Sequence, residues 1–294
     1  MEDVIRNIVN PILDEVRRIV EQSGYNIGSF KNLFQENLDI LNNFHLYPAN
    51  IFVINEIKRS DNYHDKLIGC SAIILTGISY NDEKYLDFGL ELLKKIITSC
   101  FDTEYFPKSR NIRQLVFYLK YFILLREFLK ESSNEIPGYL DEIIFHLGKG
   151  YSFVWGSVKQ SLLFNGNHNS NLEDFDVYLD YQKYSFKSEK RDLGGYGILK
   201  NKNVILGVDI GTAPESKFSE NYQSGPLSFE AIYKGRKIIC NSGYYQNTKK
   251  NLNLISRSTA AHSTLILNNN SIATFTKNFK GKILNKFNLN TLNK

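Results

Sequence analysis

GGYGILKNKNVILGVD (residues 194–209) and LSFEAIYKGRKIICN (residues 227–241) decide the fold. Both alternate apolar and polar side chains with a period of two, the pattern of a half-buried strand. Each carries a tight-turn signal near its middle: Asn201-Lys202-Asn203 in the first, Lys234-Gly235 in the second. The pattern predicts strands over Tyr196–Leu199, Val204–Asp209, Leu227–Tyr233 and Arg236–Asn241, and a further one over Ser263–Leu267. Strands joined by turns this short pair antiparallel. Two polar clusters sit among them, Asn221-Tyr222-Gln223-Ser224 and Arg257-Ser258-Thr259-Ala260-Ala261-His262.

Upstream the period changes to that of a helix. Val4, Ile5, Ile8, Val9, Ile12, Leu13, Val16, Ile19 and Val20 form an apolar stripe over residues 2–22, kinked by Pro11. Helical periodicity continues through residues 30–58. Further helices are predicted over Leu67–Ile78, over Glu83–Thr98 after the Asn81-Asp82 cap, over Ile112–Lys130, and from Pro137 to about Leu147. These helices follow one another through short loops with no strand between them. Stacked antiparallel pairs, as a solenoid or a closed toroid, bury such faces. Short strands are expected at Val154 and over Ser161–Phe164, then a turn at Asn165-Gly166-Asn167 and a helix over Leu172–Leu179. Residues 275–294 read as strand material without a closing element. The expectation is an α+β chain, with a helical domain over 1–150 and an antiparallel sheet or sandwich over 151–294.

Charge says little about partners. Lys and Arg exceed Asp and Glu by 36 to 31, a mild excess that favours anions without pointing to nucleic acid. Cys70, Cys100 and Cys240 have no metal-ligand spacing and an odd count, so neither a zinc site nor a disulfide framework is predicted. The apolar run near Val116–Leu125 is interrupted by Lys120 and is far short of the ~20 residues of a membrane span. Met1-Glu2-Asp3-Val4 does not open a secretory signal peptide.

Several segments resemble the heparinase II/III-like family. They are Leu227-Ser228-Phe229-Glu230, the run Gly235 to Gly243, and Arg257-Ser258-Thr259-Ala260-Ala261-His262-Ser263-Thr264. Phe164-Asn165-Gly166, Gly195-Tyr196-Gly197 and Ser109-Arg110-Asn111 fit upstream, so the resemblance runs over about residues 100–275. It implies an (α/α) toroid followed by an antiparallel β-sandwich, here incomplete at both ends. It also implies a polysaccharide lyase that cleaves acidic, uronate-containing glycans by β-elimination in the cleft between the two parts. Members commonly work in the periplasm or cell envelope. Such chemistry needs a base for the proton α to the carboxylate, a group that neutralises the carboxylate, and an acid for the leaving oxygen.

The chain departs from the family where that chemistry sits. Asn221 and Gln223 occupy the positions of a His-x-His segment, and neither is a general base. The resemblance also implies a structural zinc site in some members. Its positions here are Gln223, Asn241 and His262, a poor donor set, so no cofactor is predicted. The lyase tyrosine aligns near Gln114, with Tyr118 one helical turn on and Tyr105 just before. Tyr118, Tyr105, His262 and Gln223 are therefore the catalytic candidates, and Arg110, Asn111, Asn221 and Tyr196 the substrate-binding ones. Each admits a structural reading too. His262 is a cleft residue or a strand-edge one, Arg110 a uronate clamp or a salt bridge, and Tyr196 a rim or core aromatic. Asn221 and Gln223 read equally as loop residues, and His168 as a loop histidine. The rival reading is a non-catalytic glycan-binding protein or a degenerate lyase fragment that lacks the usual catalytic histidine.

Overall fold

The structure, a computed structural model, describes residues 63–156, 158–245, 250–266, 268–275 and 283–286. The helices expected over 2–22 and 30–58 lie outside the described residues. The chain forms two compact units, Met1–Ser99 with Tyr121–Tyr139, and Cys100–Lys120 with Leu140–Lys294.

In the first unit, α1 (Tyr63–Tyr80) and α2 (Glu83–Cys100) form a hairpin. Asp82 caps α2, its Oδ1 accepting from the Lys84 and Tyr85 N–H groups at 3.0 and 3.3 Å. α1 buries Leu67, Ile68, Cys70, Ile73 and Ile74 completely. The two backbones approach closely because each offers a glycine. A Cβ at Gly77 would meet the Leu86 nitrogen at 2.5 Å, and one at Gly89 would meet the Ile74 side chain at 2.6 Å. The Cys70 thiol donates to the Gly89 carbonyl across the same contact, at 3.2 Å. Two further helices are α3 (Ile112–Glu131) and α4 (Gly138–Tyr151). All four run where the 3.6 period places them, with ends that extend further.

The second unit holds the start of α3, most of α4, a π-helical turn at Ser152–Gly156, α5 (Glu173–Tyr181) and a five-stranded antiparallel sheet. The strands are β1 (Asp192–Leu193), β2 (Tyr196–Lys200), β3 (Val204–Asp209), β4 (Phe229–Tyr233) and β5 (Arg236–Ile239), in that spatial order. The register sets Tyr196 opposite Asp209 and Gly207 opposite Glu230, so the inward face carries buried polar groups at the middle of the sheet. Lys234 and Gly235 both have positive φ, 46° and 76°, as a two-residue hairpin turn requires. A short helix, α6 (Lys250–Arg257), 3-10 turns at Ser216–Phe218 and Thr259–Ala261, and a separate pair, β6 (Ala273–Phe275) with β7 (Ile283–Lys286), complete the described elements.

Three expectations change. Val154 lies in the π-turn, where Phe153, Val154 and Trp155 are all buried as a continuation of α4. Ser161–Phe164 joins no ladder, because side chains take up its backbone polar groups: Leu163 N–H donates to the Glu230 carboxylate at 3.1 Å, and Lys237 Nζ donates to the Ser161 carbonyl. Ser263 touches β4 through a single residue, Phe229, and residues 263–266 form a bend and irregular chain rather than a strand. None of the described helices is long and apolar enough to cross a membrane.

Candidate functional site

The loop Ser109–Asn111 feeds the polar interior of the second unit. Arg110, at φ 57°, turns its guanidinium inward and donates four hydrogen bonds. These go to the carbonyls of Gly194 (3.2 Å), Gly195 (2.7 Å) and Thr212 (2.9 Å), and to the Asp209 carboxylate. Asn165 Nδ2 donates to Asp209 at 3.0 Å and to the Tyr196 hydroxyl at 2.7 Å, and that hydroxyl donates to the Arg110 carbonyl. Burial lifts the Asp209 carboxyl, and Arg110 pulls it back. Burial also pushes the Tyr196 phenol well above its usual range. Arg110 and Tyr196, read as substrate-binding candidates, thus lock the loop to β2 and β3, and their engaged groups leave little to offer a uronate.

Gln223 is 1% exposed and fully used as a three-way tie. Its Oε1 accepts from Gly166 N–H at 3.0 Å, and its Nε2 donates to the Gly243 and Ser256 carbonyls at 2.8 and 2.9 Å. Asn221 presses its carbonyl against Gly166, where a Cβ would sit 2.5 Å from that oxygen. Asn111 caps α3, its Oδ1 accepting from Gln114 N–H at 3.2 Å, while its buried Nδ2 has no partner. Tyr118 lies in the core, edge-on to Phe101 at 4.9 Å, and is 2% exposed. Tyr105 lies elsewhere on the unit, hydrogen-bonded to Glu142. The eight candidates are therefore not brought together around one accessible point. Gln223, Asn241 and His262 do not fit a zinc ion: two of the three are neutral amides, whose oxygens already accept from Gly166 N–H and Ser263 N–H at 3.0 Å each. Among the described residues no group of three His, Cys, Asp or Glu could hold a metal.

His262 packs on Gly225, where a Cβ would lie 2.9 Å from the ring. Its Nε2 is buried without a partner, and burial lowers its pKa from 6.5 to about 4, against a backbone hydrogen bond with Ser256. A neutral ring in the fold and a basic one in the unfolded chain make the contribution to stability complete above pH ~6.5 and lost as pH falls through about 4. We expect the native chain to lose of order 2 kcal/mol more than His262→Gln over that window, in urea titrations at matched pH values. Parallel losses in the two proteins would remove His262 as the cause.

A cavity of about 330 Å³ opens elsewhere in the same unit. α3 lines it with Arg113, Phe117 and Lys120, at i, i+4 and i+7 on one helix face. The π-turn adds Val154 and Trp155, and the loop after Phe164 adds Asn167 and His168. Trp155 is fixed by its indole N–H, which donates to Asp176 at 2.9 Å, and Asp176 also accepts from Tyr151 and Lys159. Arg113 is half-buried over the Tyr244 ring, 5.9 Å from its centroid, and makes no ion pair with a described residue. Lys120 sits 4.9 Å over the Phe175 ring; burial lowers its pKa, and Asp174 opposes the shift. His168 is lowered by burial and by Arg113, and its buried Nδ1 has no partner. Among the described residues no Asp or Glu lines this cavity. It therefore presents two cations and a neutral imidazole beside aromatic surface, an arrangement suited to an acidic group on a ring-shaped ligand. The sequence signal for it is the basic, aromatic, basic stripe Arg113–Phe117–Lys120 on the mostly apolar first half of α3.

Residues 186–290 match the family model for the heparinase II/III-like C-terminal region. The fold is similar to that of a heparinase III with methylated lysines, at 13% identity and a TM-score of 0.65, over 78% of this chain and 40% of that one. It is also similar to a mutant heparan sulfate lyase HepC from Pedobacter heparinus, at 14% identity and a TM-score of 0.60, over 72% and 39%. The unmutated HepC from Pedobacter heparinus matches at 14% identity and a TM-score of 0.59, over 84% and 43%. This chain thus spans about two fifths of those structures. No curated protein sequence matches it significantly.

Proposed function

We propose that this protein recognises an acidic, uronate-containing glycan in the Arg113–Lys120–His168 cavity and cleaves it by β-elimination. The observation that carries the reading is a cavity with two cations and no lining carboxylate, in a chain whose C-terminal part is of heparinase II/III type. Arg113 suits a carboxylate, because a guanidinium pairs with it in a bidentate fork. Lys120 adds a second positive charge. Both neutralise the charge that builds on the carboxylate as the α-proton leaves. His168 is neutral near pH 7, and so suited to take that proton and, as the imidazolium, to return it to the glycosidic oxygen as the C–O bond breaks. An (α/α) toroid followed by a β-sandwich is the architecture this proposal assumes.

The test is incubation with heparin, heparan sulfate and alginate, following ultraviolet absorbance of the unsaturated uronate product. Absorbance should rise with at least one of them. Arg113→Ala should weaken glycan binding by roughly 10- to 100-fold, the worth of a charged hydrogen-bonded contact. Unchanged affinity in that variant would remove the cavity as the site. A second reading, glycan binding without cleavage, is favoured by the complete engagement of Gln223 at the family's base position. Binding that depends on Arg113 with no absorbance change would select it.

A further inference from the structure

The second unit holds another cavity, of about 640 Å³, lined by Tyr105, His146, Lys149, Lys187 and Lys190. It shares no lining residue with the Arg113 cavity. Its floor is built with care. Phe101 and Pro107 pair as an isolated bridge, and Asp102 accepts from the Glu104 and Phe106 N–H groups at 2.9 Å each. This clip forces Tyr105 to φ 59°, a conformation that is costly for an aromatic residue and that glycine or asparagine would adopt more easily. The ring is then fixed twice. It stacks on His146 at 4.3 Å with 9° between planes, and its hydroxyl donates to Glu142. Glu142 and His146 are one turn apart on α4, so one helix face holds both ends of the tyrosine.

Charge at the rim is uneven. Lys190 is paired with Glu104 at 2.9 Å. Lys149 lies over the Phe145 ring at 4.1 Å, and neither it nor Lys187 forms an ion pair with a described residue. Glu189 is the remaining acidic residue of the lining, so the lysines are in excess.

We propose that this cavity is a second saccharide site. The apolar face of a sugar ring lies against the Tyr105–His146 stack, and a carboxylate or sulfate on the sugar meets Lys149 and Lys187. Two sites on one unit would give a polymer a gain in avidity that short fragments lack.

The two histidines report the two cavities separately. The imidazole resonances of His146 and His168 are assigned with His→Gln variants and followed while heparin tetrasaccharide is added to the full chain. Both sets should shift. Lys149→Gln with Lys187→Gln should weaken the His146 response at least 10-fold and leave the His168 response unchanged. Movement of His168 alone overturns the second site and leaves the first. Movement of His146 alone supports the second site and overturns the first, and no movement overturns both. An alginate tetrasaccharide, which carries carboxylates without sulfates, distinguishes the acidic group: a His146 shift with both probes means a carboxylate suffices, and a shift with heparin alone means sulfate. A His146 response that survives the double lysine change but is lost in Tyr105→Ala keeps the stacking platform and overturns the lysine contact.

Discussion

Asp209→Ala should lower the unfolding free energy by about 3–5 kcal/mol, the cost of leaving a buried charge without its partner. Arg110 is 8% exposed, and among the described residues no other carboxylate pairs with it. Its three carbonyl contacts tie the 109–111 loop to residues 194, 195 and 212, but they cannot balance a full positive charge. Asn165 would lose one acceptor at the same time. Asp209→Asn should cost less, since it keeps an acceptor and the side-chain volume. Urea unfolding followed by the single tryptophan, Trp155, measures both, because Trp155 lies in the same unit. A loss below about 1 kcal/mol for Asp209→Ala would mean that water reaches Arg110 and that the pair is worth no more than a surface one.

The Arg110–Asp209 pair shows what sequence reading reaches and what it misses. The helices and the four strands from Tyr196 to Ile239 were legible because their signal is local: a period of 3.6 or 2, a cap at Asp82, a turn at Lys234-Gly235. The partner of Arg110 lies 99 residues away, and no local pattern announces it. A clamp and a crosslink therefore read alike. Ser161–Phe164 has strand composition, yet its backbone hydrogen bonds are closed by Glu230 and Lys237, which only the folded chain brings near. α6 was missed for a different reason. Asn-rich and eight residues long, it is held by tertiary bonds such as Gln223 to the Ser256 carbonyl more than by propensity. His168 reads as an ordinary loop residue, because Arg113, whose charge acts on it, lies on α3, far away in sequence.

Glu230→Ala should be about as damaging as Asp209→Ala, at roughly 3–5 kcal/mol, and it should also reach the ligand. Glu230 is completely buried in β4. Its carboxylate accepts from Leu163 N–H at 3.1 Å, Asn241 N–H at 3.0 Å and Lys237 Nζ at 3.0 Å. Lys237 in turn donates to the Ser161 carbonyl. One side chain thus fixes the segment that leads into Asn167 and His168 at the edge of the cavity. Alanine would orphan two backbone N–H groups and strand the Lys237 ammonium, 18% exposed, without an anion. Glu230→Gln keeps an oxygen for Leu163 and Asn241 but loses the charge, so it should cost less than alanine. If the segment is held as described, both variants should weaken glycan binding in the order of their instability, measured at a temperature where each is still folded. Glycan affinity equal to that of the native chain, alongside a large stability loss, would show that His168 is positioned by its own loop and not by the sheet.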